Sequence, residues 1–134
     1  MTLKEFIKIH DVDYSYNRVN ESFLSEMERV LGVKIGKQLK DYIISYGYLG
    51  YEYVELFGVN NSQLTNSDMI KRTVFLHEKF ESTRGLIALE DQGDGDFYLV
   101  DCQDMVYRFA VGSNKLTKTN LTLEEYILDR FSKV

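Results

Sequence analysis

Apolar positions recur along the chain with two different periods, and the switch between them sets the order of elements. The first ten residues carry a short helical pattern, with Thr2 as its cap and Glu5 three residues on, as in a capping box. Residues 11–20 are polar with scattered aromatic and β-branched side chains and read as a loop. Asn20 opens a stronger helix, in which Phe23, Leu24, Met27, Val30 and Leu31 fall at helical spacing and Gly32 supplies a left-handed end. After the short gap 32–36, Leu39, Tyr42, Ile43 and Tyr46 form one stripe of another helix, ended by Gly47. So short a connection favours an antiparallel or steeply crossed pair.

The period then falls to two. Tyr51 to Phe57 reads as a single strand, with Tyr51, Tyr53, Glu55 and Phe57 on one face and Glu52, Val54 and Leu56 on the other. Gly58 and Asn60–Ser62 close it. Thr65, Asn66 and Ser67 are candidate caps for a helix with Met69, Ile70, Thr73, Leu76, His77 and Phe80 on one face. The clearest β signal follows: Leu86–Leu89, a turn at Gln92–Gly95, Phe97–Val100, a turn at Asp101–Asp104, and Met105–Phe109. Thr122 and Glu125 then box the start of a helix striped by Leu123, Tyr126, Ile127 and Phe131. The sum predicts an α+β fold: a mainly antiparallel sheet with a meander in the C-terminal half and helices packed on one side. Residues 1–134 are expected to form a single domain.

Composition narrows the function. With 134 residues, 44% hydrophobic and 28% charged, the chain buries roughly two-thirds of its unfolded surface and needs no metal or disulfide to fold. Against 16 Lys and Arg stand 21 Asp and Glu, for a net charge of −5. That argues against direct nucleic-acid binding and suits a positively charged partner. The lone Cys102 excludes an internal disulfide framework and a multi-cysteine metal site. No apolar run approaches the ~20 residues of a membrane span. The N-terminus has charges within its apolar pattern and no small-residue cleavage site, so a cytoplasmic location is expected. Pro and Trp are absent while Tyr reaches 10 and Phe 8. These rings either fill the core or, being amphipathic, serve an interface.

Catalytic chemistry finds little support. His10 and His77 are the two histidines, and His77 lies on an apolar stripe, where a satisfied boundary histidine is the simpler reading. Cys102 sits beside Asp101 and Asp104, and nearby carboxylates disfavour a thiolate. No nucleophile elbow, phosphate loop or dinucleotide fingerprint occurs. The one constellation is acidic: Glu90, Asp91, Asp94, Asp96, Asp101 and Asp104, with no Lys or Arg among them. A calcium loop counted from Asp91 fails, because Gly93, Gly95 and Cys102 stand where carboxylates are needed. No metal, no cofactor and no enzymatic activity are therefore expected. The stretch is either a pair of ordinary Asp/Gly hairpin turns or an acidic rim that steers a basic partner.

The order of motifs resembles the SUKH superfamily, named for its yeast cell-wall regulator and its herpesvirus members. Asn20–Gly32 is similar to that family's first helix, and Leu39-Lys-Asp-Tyr-Ile-Ile-Ser-Tyr-Gly47 to its Tyr-Gly segment. Glu55-Leu-Phe-Gly58 resembles its strand ending in Phe-Gly, and Gly85–Asp101 its most recognisable hairpin. Val106-Tyr107 and Leu123-Glu-Glu-Tyr-Ile127 match the following strand and closing helix. The likeness covers about residues 20–131. It departs at Ile35-Gly36, where many members have Leu-Pro, and in lacking Trp. The resemblance implies a non-enzymatic immunity protein that binds a cognate secreted toxin domain, basic and often a nuclease, and neutralises it by occlusion. The alternative is a regulatory scaffold for an endogenous protein. Under the first reading Glu52, Glu55, Asp91, Asp94 and Asp96 steer the toxin, and Tyr48, Tyr51 or Tyr53 anchor it. Tyr53 fits a core position on its strand equally well.

Overall fold

Most of the helices begin at a side-chain cap supplied by the residue just before them. The computed structural model describes residues 1–15, 19–59 and 68–134. Helix α1 (Leu3–Ile9) starts with the Thr2 side chain accepting from the Glu5 amide and buries Leu3 and Phe6. Asn20 caps α2 (Glu21–Leu31) in the same way, and Gly32 ends it in the left-handed region at φ 66°. Leu24, Met27 and Leu31 of α2 face the core, while Val30, expected on the same stripe, is exposed. Helix α3 (Lys37–Ser45) buries Leu39, Tyr42 and Ile43. Helix α4 (Met69–Lys79) is capped by the Asp68 carboxylate, which accepts from the Lys71 amide. The expected caps Thr65–Ser67 and the expected turn Asn60–Ser62 lie outside the described residues. Helix α5 (Leu123–Ser132) opens with the capping box of Thr122 and Glu125.

Strands β1 (Asp13–Tyr14), β2 (Leu49–Tyr51) and β3 (Val54–Glu55) form one antiparallel sheet in that order. The single strand expected over 51–57 is thus a hairpin. Tyr51 pairs with Val54 across the two-residue turn Glu52–Tyr53, with Glu52 at φ 53°. The fold-back buries Leu49, Val54 and Leu56 together and leaves Glu52 and Tyr53 in solvent. A straight strand would have placed Tyr53 and Tyr51 on one face.

The second sheet is an antiparallel meander of β4 (Ile87–Asp91), β5 (Asp96–Val100), β6 (Met105–Ala110) and β7 (Lys115–Thr122). The first three match the sequence expectation. Strand β7 was not expected, because its eight residues carry three threonines, two lysines and an asparagine, with only Leu116 and Leu121 apolar. The two sheets meet where the Phe57 amide donates to the Leu89 carbonyl at 2.7 Å.

The α+β class holds, but helices cover more than the one side expected. Phe97 pairs with Phe109, which packs on Phe80 at the end of α4. The neighbouring Tyr98 points the opposite way and packs on Tyr126 of α5. Helix α4 is tied to its face by Thr73, whose hydroxyl accepts from the Ala88 amide at 2.9 Å and donates to the Met69 carbonyl. His77 Nε2 donates to the Leu86 carbonyl at 2.7 Å, a satisfied boundary histidine. The buried residues form one hydrophobic cluster drawn from all five helices and both sheets.

Candidate protein-binding surface

The six acids of the 90–104 stretch separate by burial. Glu90 is only 2% exposed. It accepts from the Tyr126 hydroxyl at 2.5 Å and from Arg130 Nε and Nη2 at 3.0 and 2.7 Å. The Tyr126 hydroxyl in turn accepts from Gln92 Nε2 at 3.1 Å. Burial and the Glu90 charge push Tyr126 well above the ordinary phenol range, and the hydrogen bonds to Glu90 hold Arg130 above its ordinary value. Asp104 is also buried, in the β5–β6 turn at φ 64°, and its carboxylate accepts from the Gln38 and Leu39 amides. Asp101 accepts from the Gln103 and Met105 amides and the Tyr107 hydroxyl. These three acids are structural.

The remaining three sit at the β4–β5 turn. Asp91 accepts from the Gly93 amide at 2.8 Å, and Asp94 from the Asp96 amide at 3.1 Å. Gly93 and Gly95 take φ 84° and 90°, which suits glycine. Asp96 is paired with Arg108, Nη2 to Oδ2 at 2.6 Å. Turn chemistry therefore uses one oxygen each of Asp91 and Asp94 and leaves their charges at the surface.

The tyrosines also divide. Tyr51 is half-buried in a ring cluster with Phe6, His10 and Phe131, its hydroxyl 3.3 Å from His10 Nδ1. It is a packing residue, not an exposed anchor, because the hairpin turns it toward α1 and α5. Tyr48 is half-buried over Gly50, where any Cβ would meet its ring, and its hydroxyl donates to Glu55 Oε1 at 3.3 Å. Burial, then the Glu55 charge, pushes Tyr48 up to about 12. Tyr53 is 72% exposed at the tip of the β2–β3 turn. The same turn exposes Glu52.

Tyr53, Glu55 and Asp91 come together around an open groove of about 340 Å³ between the β2–β3 hairpin, α4, α5 and the end of β4. Phe57 and Gln92 also line it. Tyr48 joins this edge through Glu55. Asp94 and Asp96 do not line it, and Tyr51 packs instead among Phe6, His10 and Phe131. Sequence reasoning missed the groove's two cations. The Arg72 guanidinium lies 5.7 Å over the Phe57 ring, and Arg130 is held by Glu90. The Glu90–Arg130 pair spans forty positions, from β4 to α5, so no local pattern announced it. Among the described residues no group of His, Cys, Asp or Glu is placed to hold a metal ion. None of the described helices is long and apolar enough to cross a membrane.

A helical pair, a small antiparallel sheet and a helix-flanked meander agree with what comparison of the sequence shows. The family model SUKH_5, described as SMI1-KNR4 cell-wall, matches residues 3–132, and the chain belongs to that family. No curated protein matches the chain.

Proposed function

We propose that the chain is an immunity protein: it binds a secreted toxin domain and neutralises it by covering its active cleft. Family membership supports a binding role. The observation that carries the choice of surface is Tyr53. A large ring exposed on a tight turn, between Glu52 and Glu55 and across a groove from Asp91, has the composition of an interface anchor with an acidic rim. A standard interface buries roughly 800 Å² per partner, an area that would span the hairpin tip, the groove and the β4–β5 turn. A nuclease cleft built to hold phosphates is basic and suits that rim. The protein acts from the cytoplasm of the producing cell and performs no chemistry itself.

The test is to sequence the DNA flanking this gene and co-express the chain with the C-terminal domain of any secreted protein encoded there. The proposal predicts restored growth and a co-purifying complex, both weakened by Tyr53→Ala with Glu55→Lys. The absence of both rescue and complex would overturn it. The cell-wall description attached to the family favours a second reading, a regulatory scaffold. Capture of an endogenous protein through the same hairpin would establish that reading instead.

A further inference from the structure

The meander sheet has one covered edge and one open edge. At the β4 edge the Leu89 carbonyl is taken by the Phe57 amide. At the other edge β7 is the last strand in the order and, at eight residues, the longest described strand. Lys115, Leu116, Thr117 and Lys118 pair in unbroken register with Ala110, Phe109, Arg108 and Tyr107 of β6. The register breaks beyond them, where the Thr119 hydroxyl donates to the Val106 carbonyl and accepts from the Leu121 amide. Ladder bonds alternate in direction along a strand, so half of the β7 backbone groups point away from β6. Among the described residues no second strand pairs with them. No residue of β7 is buried, and Lys115, Thr117, Lys118 and Asn120 are exposed. Charge sets this edge apart as well. Residues 105–123 hold Arg108, Lys115 and Lys118 and no carboxylate, in a chain of net charge −5. Arg108 is paired with Asp96, whereas neither lysine has an ion-pair partner among the described residues.

We propose that β7 accepts an extended acidic segment of a partner polypeptide, which adds a fifth strand to the meander sheet. Backbone hydrogen bonds hold such a segment, and its alternate side chains choose it. Lys115 and Lys118 are three positions apart and so stand on opposite faces of β7. The added segment therefore carries two carboxylates three positions apart, one opposite each lysine. Opposite charges across a strand pair stabilise it, and like charges weaken it. The lysines that admit an acidic strand thus turn away a neutral or basic one, as lysine on a free edge commonly does. A second copy of this chain fits badly, because β7 against β7 brings four lysines onto one short ribbon with no acid on either strand. The inference does not depend on the immunity reading, since it concerns a different element and a different test.

The experiment titrates the ¹⁵N-labelled full chain with the peptide acetyl-Val-Glu-Val-Thr-Glu-Val-Thr-amide, to about 5 mM, a range suited to weak binding. The expected result is saturating amide shifts along residues 115–119 and slower amide exchange there. Three controls isolate the cause. The same peptide N-methylated at each residue keeps the charge but has no backbone donors, and should not bind. The isomer acetyl-Val-Glu-Thr-Glu-Val-Val-Thr-amide places both acids on one face and should bind about three-fold more weakly. The Lys115→Gln, Lys118→Gln variant should lose about three- to ten-fold, and its spectrum, superposable away from the substitutions, shows that the fold is intact. Equal binding of the N-methylated peptide would mean that charge alone adheres, and would overturn the proposal. So would unchanged binding in the variant, shifts centred elsewhere, or no shifts at all. Concentration-dependent shifts along 115–119 in the free chain would assign the edge to a second copy, and would overturn it too.

Discussion

The Asp104 carboxylate occupies the space a side chain at Gly36 would fill. A Cβ built on Gly36 would clash with both oxygens and the carbon of that carboxylate. That carboxylate accepts from the Gln38 amide at 2.9 Å and the Leu39 amide at 3.1 Å, so it caps α3 from a turn 66 positions away. Gly36, the position before α3, offers no side-chain cap of its own. The Asp104 carbonyl also accepts from the Leu123 amide at 2.8 Å, which ties the same turn to α5.

This pairing predicts non-additive stability. Asp104→Ala leaves two helix-start amides without their acceptor and should cost about 1–3 kcal/mol. Gly36→Ala forces the carboxylate aside and should cost about as much through overpacking. In the double variant the added methyl meets no carboxylate, so the combined loss should fall short of the sum by at least about 0.5 kcal/mol. Urea unfolding of the four proteins measures this directly. Strict additivity would mean that the two residues do not share one space.

The Glu90–Arg130 pair makes a different prediction. Removing only the cation, as in Arg130→Ala, leaves Glu90 buried without its counter-charge and should destabilise by about 3–5 kcal/mol. Tyr126→Phe removes one hydrogen bond to the same carboxylate and should cost about 1.5–3 kcal/mol. Replacing both charges with apolar residues, Glu90→Leu with Arg130→Met, should be milder than Arg130→Ala alone, because no unpaired charge remains. Denaturant midpoints for the three variants would rank them. A double replacement worse than the single one would show that the network contributes more than mutual neutralisation.

Alkaline stability follows from Tyr48. Its folded value near 12 lies above the ordinary 10.0, which is the unfolded reference. A group whose folded value is raised contributes fully below the unfolded value and loses that contribution as pH rises through the folded one. Stability should therefore decline between about pH 10 and 12, with Tyr42 and Tyr126, both raised further by burial, steepening the fall. Tyr48→Phe should lower the slope in that window while leaving the neutral-pH titration of the protein unchanged. Chemical unfolding at stepped pH tests the slope. Tyrosinate absorbance should show one late-titrating ring fewer in the variant than in the wild type.

Local periodicity was enough for α2, α3, α5 and the first three meander strands, because their buried stripes are written in consecutive residues. It failed at the β2–β3 hairpin. Alternation over 51–57 continues straight through Glu52–Tyr53, and only Leu49 pairing back on Leu56 reveals the turn. It failed at β7, whose strand character comes from pairing with β6. For the candidate surface, Tyr53, Glu55 and Asp91 were legible as types, and the fold supplied their proximity. The structural duties of Glu90 and Asp104 were not legible. Both look like members of an acidic run, and only burial beside Arg130 and the α3 amides sets them apart.

Association kinetics with the proposed toxin partner test the steering acids separately from the anchor. Asp94 is exposed, and among the described residues its side chain bonds to the backbone of its own turn alone, so Asp94→Lys changes charge at little structural cost. Asp96→Lys also breaks the pair with Arg108, in which the Arg108 side chain is exposed and that of Asp96 half-buried, so the variant's unfolding midpoint is measured alongside. The double reversal should slow association several-fold at low salt and flatten its dependence on ionic strength, while dissociation changes little. Tyr53→Ala should do the opposite. Losing a central ring typically costs about 2 kcal/mol of binding, roughly thirty-fold, and mutational losses appear mainly as faster dissociation. Its stability should stay within about 0.5 kcal/mol of wild type, since the ring is exposed. Surface plasmon resonance at two salt concentrations separates the rates. Unchanged association in the Asp94, Asp96 double variant would remove the β4–β5 turn from the interface, and unchanged dissociation in Tyr53→Ala would remove the hairpin.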